Sequence, residues 1–421
     1  MLLATNSIRL VNIGLRAITL GTRFLFIFFL AKYLDPTSVG YYGIFTATVG
    51  YAMYFVGLDF YTYVSREILK VSPDSRGQLL KGQLALSGWL YIVLIPFALW
   101  FFSENNWPSY LVFWFLPILV LEHFNQEMSR LLITLSEQLT SSVILFIRQG
   151  SWAIAIIALM YMDTTARNLN VVMVMWAIAG LAAAGAGVWK LRQLKTGGWH
   201  LPIDWRWIKK GIRVSIVFLI ATLALRGVQT FDRYWLEALG GIETVGAYVL
   251  LFGIAGTLLT FLDAAVFAFA YPALIRLHHE DKPDEARKQV GVLFWQTVGL
   301  SVMFGITSWL VLPYLLIWIG NPLYLQAAHW YPWLLLAMVL NAVGMVPHYA
   351  LYACDVDKPI IQSHIAALLV FVLVTATFSQ WLGYQAVFLG LNAAFACILL
   401  WKAVSYFRLL QHQAVSKNCP R

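Results

Sequence analysis

The chain has 421 residues, of which 60% are hydrophobic and only 12% charged, with a formal net charge of +9. A mean hydropathy of +0.72 excludes an ordinary soluble domain. The excess of basic residues forms no basic face or interleaved aromatic platform, so nucleic acid is excluded as a partner.

A hydrocarbon core about 30 Å thick is crossed by a helix of roughly 20 residues. On that rule twelve apolar runs are predicted to span, near residues 11–32, 39–62, 83–102, 109–130, 141–161, 169–189, 211–232, 245–270, 291–318, 329–353, 360–379 and 384–405. The fourth, seventh, eighth and tenth are less uniformly apolar than the others. Continuous runs of this length exclude a spanning barrel, whose strands alternate over about ten residues. Arg16 and Arg23 interrupt the first run, which reads as an uncleaved first helix and not a signal peptide.

Charge sets the orientation. With both termini in the cytoplasm, the inner segments hold Arg9 and Arg16, then Arg66, Lys70, Arg76 and Lys81, then Arg130. Lys190, Arg192, Lys195, Arg206, Lys209, Lys210 and Arg213 follow, then Arg276, Lys282, Arg287 and Lys288, then Lys358, and finally Lys402, Arg408, Lys417 and Arg421. Only Lys32, Arg167 and Arg233 fall on the outer side, while Arg23, Arg148 and Arg226 lie within runs. This asymmetry follows the positive-inside rule.

The outer loops reach about a dozen residues at most, too few for a folded domain. That disfavours a membrane enzyme that polymerises or ligates glycans outside the cell. No Walker loop, nucleophile motif or metal-ligand spacing is present, so no enzymatic activity, cofactor or metal is expected. Cys354, Cys397 and Cys419 form no framework and read as small apolar residues.

The chain also repeats itself. Leu34-Asp35-Pro36-Thr37-Ser38-Val39-Gly40-Tyr41-Tyr42 joins the first two runs, and Leu239-Gly240-Gly241-Ile242-Glu243-Thr244-Val245-Gly246-Ala247-Tyr248 joins the seventh and eighth, close to half the chain later. Six runs per copy is an even number, so the copies relate by a pseudo-twofold axis along the membrane normal, as in many secondary transporters. The expected fold is therefore an all-α integral membrane protein with about twelve transmembrane helices in two six-helix halves around a central cavity. Residues 1–195 form the first bundle, 196–208 a cytoplasmic linker marked by Gly197, Gly198 and Pro202, and 209–421 the second bundle.

Arginines within the runs are the main chemical signal. Arg16 and Arg23 in the first run, and Arg226 and Arg233 in the seventh, stand seven apart and share a helix face. Arg148 adds a cation in the fifth. An arginine at mid-bilayer costs about 2.5–3.5 kcal/mol on insertion scales, so these side chains line a wet cavity or pair with acids. Arg16 and Arg233, near run ends, also fit structural ion pairs or snorkelling. A cavity lined by guanidinium groups favours an anionic, phosphate-bearing substrate. The complementary acids are Asp59, Glu122, Asp232 and Asp263, with Asp59 and Asp263 at comparable places in the two copies. Either they bind a coupling proton or sodium ion, or they neutralise the arginines. His348 is a further titratable candidate, or a packing histidine.

Phe28 to Pro36 with Val39-Gly40-Tyr41-Tyr42, Gly57-Leu58, Ser65-Arg66-Glu67, and Phe231-Asp232-Arg233-Tyr234-Trp235-Leu236 with Val245-Gly246-Ala247-Tyr248 resemble the signatures of polysaccharide flippases. The family is the O-antigen (Wzx-type) branch of the multidrug/oligosaccharidyl-lipid/polysaccharide (MOP) exporter superfamily, and the resemblance covers nearly the whole chain. It implies a flippase in the bacterial inner membrane that moves undecaprenyl-pyrophosphate-linked oligosaccharide, such as an O-antigen unit of lipopolysaccharide, to the outer leaflet by alternating access. Its implied partners are that lipid-linked oligosaccharide, membrane lipids, a proton or sodium ion, and other polysaccharide-assembly proteins. The alternative is a multidrug or small-solute secondary transporter of MOP or major-facilitator type.

Overall fold

The computed structural model describes the backbone of residues 2–105 and 107–417 and the side chains of residues 10–105 and 107–411. Cys419 and Arg421 lie outside the described residues, as do the side chains of Arg9 and Lys417. Every regular element among the described residues is helical: α1 (Leu2–Tyr33), α2 (Pro36–Gly57), α3 (Tyr61–Glu67), α4 (Arg76–Glu104), α5 (Ser109–Thr134), α6 (Gln138–Phe146), α7 (Trp152–Met162), α8 (Leu169–Gln193), α9 (Trp205–Gly240), α10 (Ile242–Leu262), α11 (Ala268–His279), α12 (Pro283–Ile319), α13 (Pro322–Gln326), α14 (Tyr331–Ala353), α15 (Asp357–Leu382) and α16 (Gln385–Lys417).

Ten of these spans, some built from two helices, are long and apolar enough to cross a membrane, or eleven if the bent pair α2–α3 counts as one. Each of the twelve expected runs coincides with helix, but α5 does not meet the apolar criterion. Glu122, His123, Asn125 and Glu127 interrupt it, and the first three are buried. A helix whose polar face is buried packs that face against protein and not against lipid. Other helices expose largely apolar faces. On α12, Trp295, Leu310, Tyr314 and Ile317 are 71%, 63%, 76% and 65% exposed, a surface suited to hydrocarbon and not to water.

The chain divides into two compact units, Met1–Leu34 with Phe45–Leu219, and Asp35–Ile44 with Ile220–Arg421. In the first, Phe60, Tyr63, Val64, Leu86 and Ile208 form a buried cluster, with Trp207 edge-on to Phe60 at 5.4 Å. The segment expected as a linker is fastened here: Gly77 N–H donates to Gly197 O at 2.7 Å, Gly197 N–H to Pro73 O at 2.9 Å, and Lys81 Nζ to Leu201 O at 3.0 Å. In the second unit the largest fully buried side chains include Tyr248, Tyr324, Tyr331, Phe371 and Phe395.

The repeated signature has a local reason in each copy. Asp35 caps α2, accepting from Ser38 N at 2.7 Å and Ser38 Oγ at 3.1 Å, with Pro36 at the first helical position. Gly241, at φ 80°, precedes α10, and Glu243 lies in its first turn, where the helix dipole favours a carboxylate. The two copies meet inside the second unit. A Cβ on Gly40 would collide with the Ile242 carbonyl oxygen, and one on Gly246 with the Pro36 carbonyl oxygen. Only glycine permits that approach.

Downstream the copies diverge. α2 breaks at Leu58 and Asp59, both left-handed at φ 50° and 48°, and α3 departs at 47°. α10 instead loosens into a π turn, Asp263–Phe267, before continuing as α11. A second π turn, Ile147–Ser151, joins α6 to α7. Such turns re-aim side chains and occur often at functional positions.

Candidate functional site

The π turn between α6 and α7 carries Arg148 inward. Its Nε and Nη2 donate to Glu122 Oε2 at 2.8 and 2.5 Å, and Trp176 Nε1 donates to Glu122 Oε1 at 2.8 Å. Trp152, which donates to the Arg148 carbonyl, stacks on Trp176 with ring centroids 5.7 Å apart. Arg148 and Glu122 are only 4% and 5% exposed, so between ion pairing and a wet wall, these two residues adopt pairing.

The polar stripe of α1 differs. Arg16 Nε donates to Ser142 Oγ at 3.0 Å, and Ser142 Oγ donates to Asn12 Oδ1. Arg23 Nη1 donates to Gln149 Oε1 at 3.0 Å. Both arginines are exposed, and neither forms an ion pair among the described residues. Neutral side chains of α6 and the π turn orient these guanidinium groups without quenching their charge.

In the second unit Arg226 is exposed, with Nη1 3.4 Å from Gln229 Oε1. Arg233 is held down. Its main-chain N–H donates to Asp232 Oδ1 at 2.7 Å, its guanidinium lies 3.5 Å from the same oxygen and donates to Gln229 O. Asp232 is fully buried and accepts from Tyr248 OH, so this pair ties α9 to α10. Asp59 is buried at the α2–α3 break, whereas Asp263 is exposed on its π turn.

His348 belongs to a cluster that the sequence did not reveal. Lys402, expected at the inner end of the last run, is 2% exposed, with Nζ 3.1 Å from His348 Nδ1 and 3.2 Å from His364 Nε2. α16 runs through Lys402 to Lys417 without a break, and the lysine meets α14 and α15 through these two histidines. A second missed network lies on α5. Glu127 accepts from Gln83 Nε2 at 2.7 Å and Arg130 Nη1 at 2.6 Å, and Arg130 lies 3.6 Å from the Tyr61 ring centroid. The one available signal was the density of polar residues from Glu122 to Arg130. Beside that network, lined by α4, α5, α8 and the following turn, is a cavity of about 680 Å³. His, Cys, Asp and Glu side chains form no metal-binding group among the described residues.

A family model described as polysaccharide biosynthesis protein matches residues 9–278. No curated protein matches the chain. Among solved structures, the inward-facing conformation of a multidrug resistance MATE family transporter of the MOP superfamily aligns with a TM-score of 0.78 at 12% identity, covering 95% of this chain and 96% of that one. An outward-facing conformation of such a transporter aligns at 0.61 and 13% identity, covering 96% of each chain, and a Vibrio cholerae MATE transporter at 0.58 and 12% identity, covering 97% of this chain and 98% of that one. At these identities the likeness shows the fold: the two-halves helical repeat of MOP transporters, and not that of a major-facilitator carrier.

Proposed function

Because the chain belongs to the polysaccharide biosynthesis protein family, a family of transport proteins and not of enzymes, we infer that it is a flippase for lipid-linked oligosaccharide. It moves an undecaprenyl-pyrophosphate-linked unit, such as an O-antigen repeat, from the cytoplasmic to the outer leaflet of a bacterial inner membrane by alternating access. Both termini are in the cytoplasm, and the working partners include other polysaccharide-assembly proteins. The observation that carries the reading is the α1 stripe: Arg16 and Arg23, exposed, held by Ser142 and Gln149, and without an acidic partner among the described residues. Facing lipid, each would cost about 2.5–3.5 kcal/mol; facing a pyrophosphate, each supplies forked, charge-assisted hydrogen bonds. Arg226, exposed in the second unit with Nη1 near Gln229 Oε1, is a further guanidinium on that side.

Asp59 and Asp263, each where its helix breaks or loosens, are the residues for a coupling proton or sodium ion. Glu122 and Asp232 are committed to Arg148 and Arg233, which leaves them structural, and His348 is held by Lys402. The aligned MATE structure is that of a multidrug resistance transporter, which gives the second reading. Amphipathic cations are repelled by uncompensated guanidinium groups, which favours the first.

The test is deletion of the gene in its host, with surface polysaccharide and the leaflet of the lipid-linked oligosaccharide both measured. Loss of surface polymer with oligosaccharide stranded on the cytoplasmic side is expected. Unchanged polymer and leaflet distribution, with no redundant flippase present, overturns the reading in favour of drug or solute export.

A further inference from the structure

The cavity of the first unit has an oily interior and a cationic mouth. Its walls include Leu80, Leu84, Val120, Leu131, Val188 and Leu191. The polar residues among them are turned to one another: Gln83 donates to Glu127 at 2.7 Å, and Tyr91 OH lies 3.2 Å from His123 Nδ1. These pairs engage Gln83, Glu127 and Tyr91, His123 Nε2 is buried without a hydrogen-bond partner among the described residues, and apolar side chains make up most of the wall. The volume of about 680 Å³ falls in the usual range of about 300–1,000 Å³ for ligand pockets.

One side is flanked by apolar surface suited to hydrocarbon. Leu84 and Val120 line the cavity yet are 53% and 41% exposed, on helices whose other exposed side chains, such as Ile92 and Phe113, are also apolar. At the end where α8 finishes stand Arg192, Lys195 and Trp199. Lys190 nearby is paired with Glu137 at 2.9 Å, but Arg192 and Lys195 are exposed and have no carboxylate partner among the described residues. Two uncompensated cations beside a tryptophan mark headgroup level, and their sign marks the cytoplasmic leaflet.

We propose that this cavity is a lipid site, which admits the hydrocarbon chain of a single-chain lipid phosphate from the cytoplasmic leaflet and holds its phosphate between Arg192 and Lys195. One slot with one cationic mouth suits one chain on one phosphate better than the paired chains of a phospholipid. The assignment rests on the flippase reading, where such a lipid is the polyprenyl carrier of the substrate, and adds where its chain is received. It is separate from the α1 arginines.

The experiment labels the full-length protein in lipid nanodiscs with a diazirine-bearing polyprenyl monophosphate and maps the adducts. Adducts on α4, α5 and α8 are expected, displaced by unlabelled polyprenyl phosphate and not by phosphatidylglycerol. Gly88 lines the cavity, and a Cβ there meets nothing within 4 Å, so Gly88→Trp fills the space while Gly88→Ala serves as the control for folding. Labelling falls at least about tenfold in Gly88→Trp and persists in Gly88→Ala. Arg192→Gln with Lys195→Gln abolishes the preference for polyprenyl phosphate over polyprenol, a change of about tenfold if a charge-assisted hydrogen bond or two is lost. Adducts elsewhere, equal displacement by phosphatidylglycerol, or undiminished labelling of Gly88→Trp overturns the proposal. Failure here with the deletion phenotype intact removes only this site, whereas an absent deletion phenotype removes the flippase.

Discussion

The Arg148–Glu122 pair gives the sharpest test of which intramembrane charges serve architecture. In Arg148→Ala, Glu122 keeps Trp176 as a donor but loses both guanidinium bonds, in a place where it is only 5% exposed. Breaking a buried pair by removing one partner costs about 3–5 kcal/mol, because the other charge is left uncompensated. That is roughly two to four powers of ten in the folded population. Removing both charges with Arg148→Met and Glu122→Leu restores apolar packing and recovers most of the loss, since a buried pair is worth little against hydrophobic residues of similar volume. The assay is monodispersity and thermal stability of the purified protein in detergent, with export measured in the same strains. A stable double variant with near-normal export is expected. A stable double variant without export would refute the structural assignment and return Arg148 to the substrate path.

Arg23→Ala and Arg226→Ala insert and fold normally but reduce export by about tenfold or more, as expected for a charge-assisted hydrogen bond worth about 1.5–3 kcal/mol; near-normal export in both would remove the arginine model, as leaflet assays would show. Gly40→Ala and Gly246→Ala lower thermal stability by about 1–3 kcal/mol through overpacking, since each new Cβ meets a carbonyl, while Gly14→Ala, with nothing within 4 Å, leaves the melting temperature unchanged. Asp59→Asn or Asp263→Asn removes the response of export to an imposed proton or sodium gradient in vesicles. Export that ignores both gradients in the unaltered protein returns these acids to structural roles.

Much of the fold is legible in the sequence because crossing a bilayer demands long apolar runs, and loop charge orients them. What escapes has physical causes. α5 mixes apolar and polar residues because it faces protein, so a rule built on lipid contact misjudges it. The left-handed residues at the α2 break are Leu58 and Asp59, not glycines, and only tertiary packing imposes that conformation. The π turns leave no compositional mark. Partners are harder still: neither Glu122 for Arg148 nor Ser142 for Arg16 follows from spacing, and Lys402 was hidden because a cation at the inner end of the last run reads as one more inside charge. The arginines of α1 were visible because that helix is otherwise apolar. That Arg148 is paired with an acid while Arg16 and Arg23 are held by neutral side chains became visible only with their neighbours in place.

The reciprocal contact of Gly40 with Ile242 and Gly246 with Pro36 has the form of an isologous interface, in which each patch meets its own counterpart. Two separate chains related by a twofold axis would make the same contact. Inside one polypeptide it fastens one copy of the signature to the other through glycines at equivalent positions. The copies are alike where they touch and differ beyond it, one breaking at Asp59 and the other loosening at Asp263. It also means that a bulkier residue at either glycine requires a compensating change in the opposite copy.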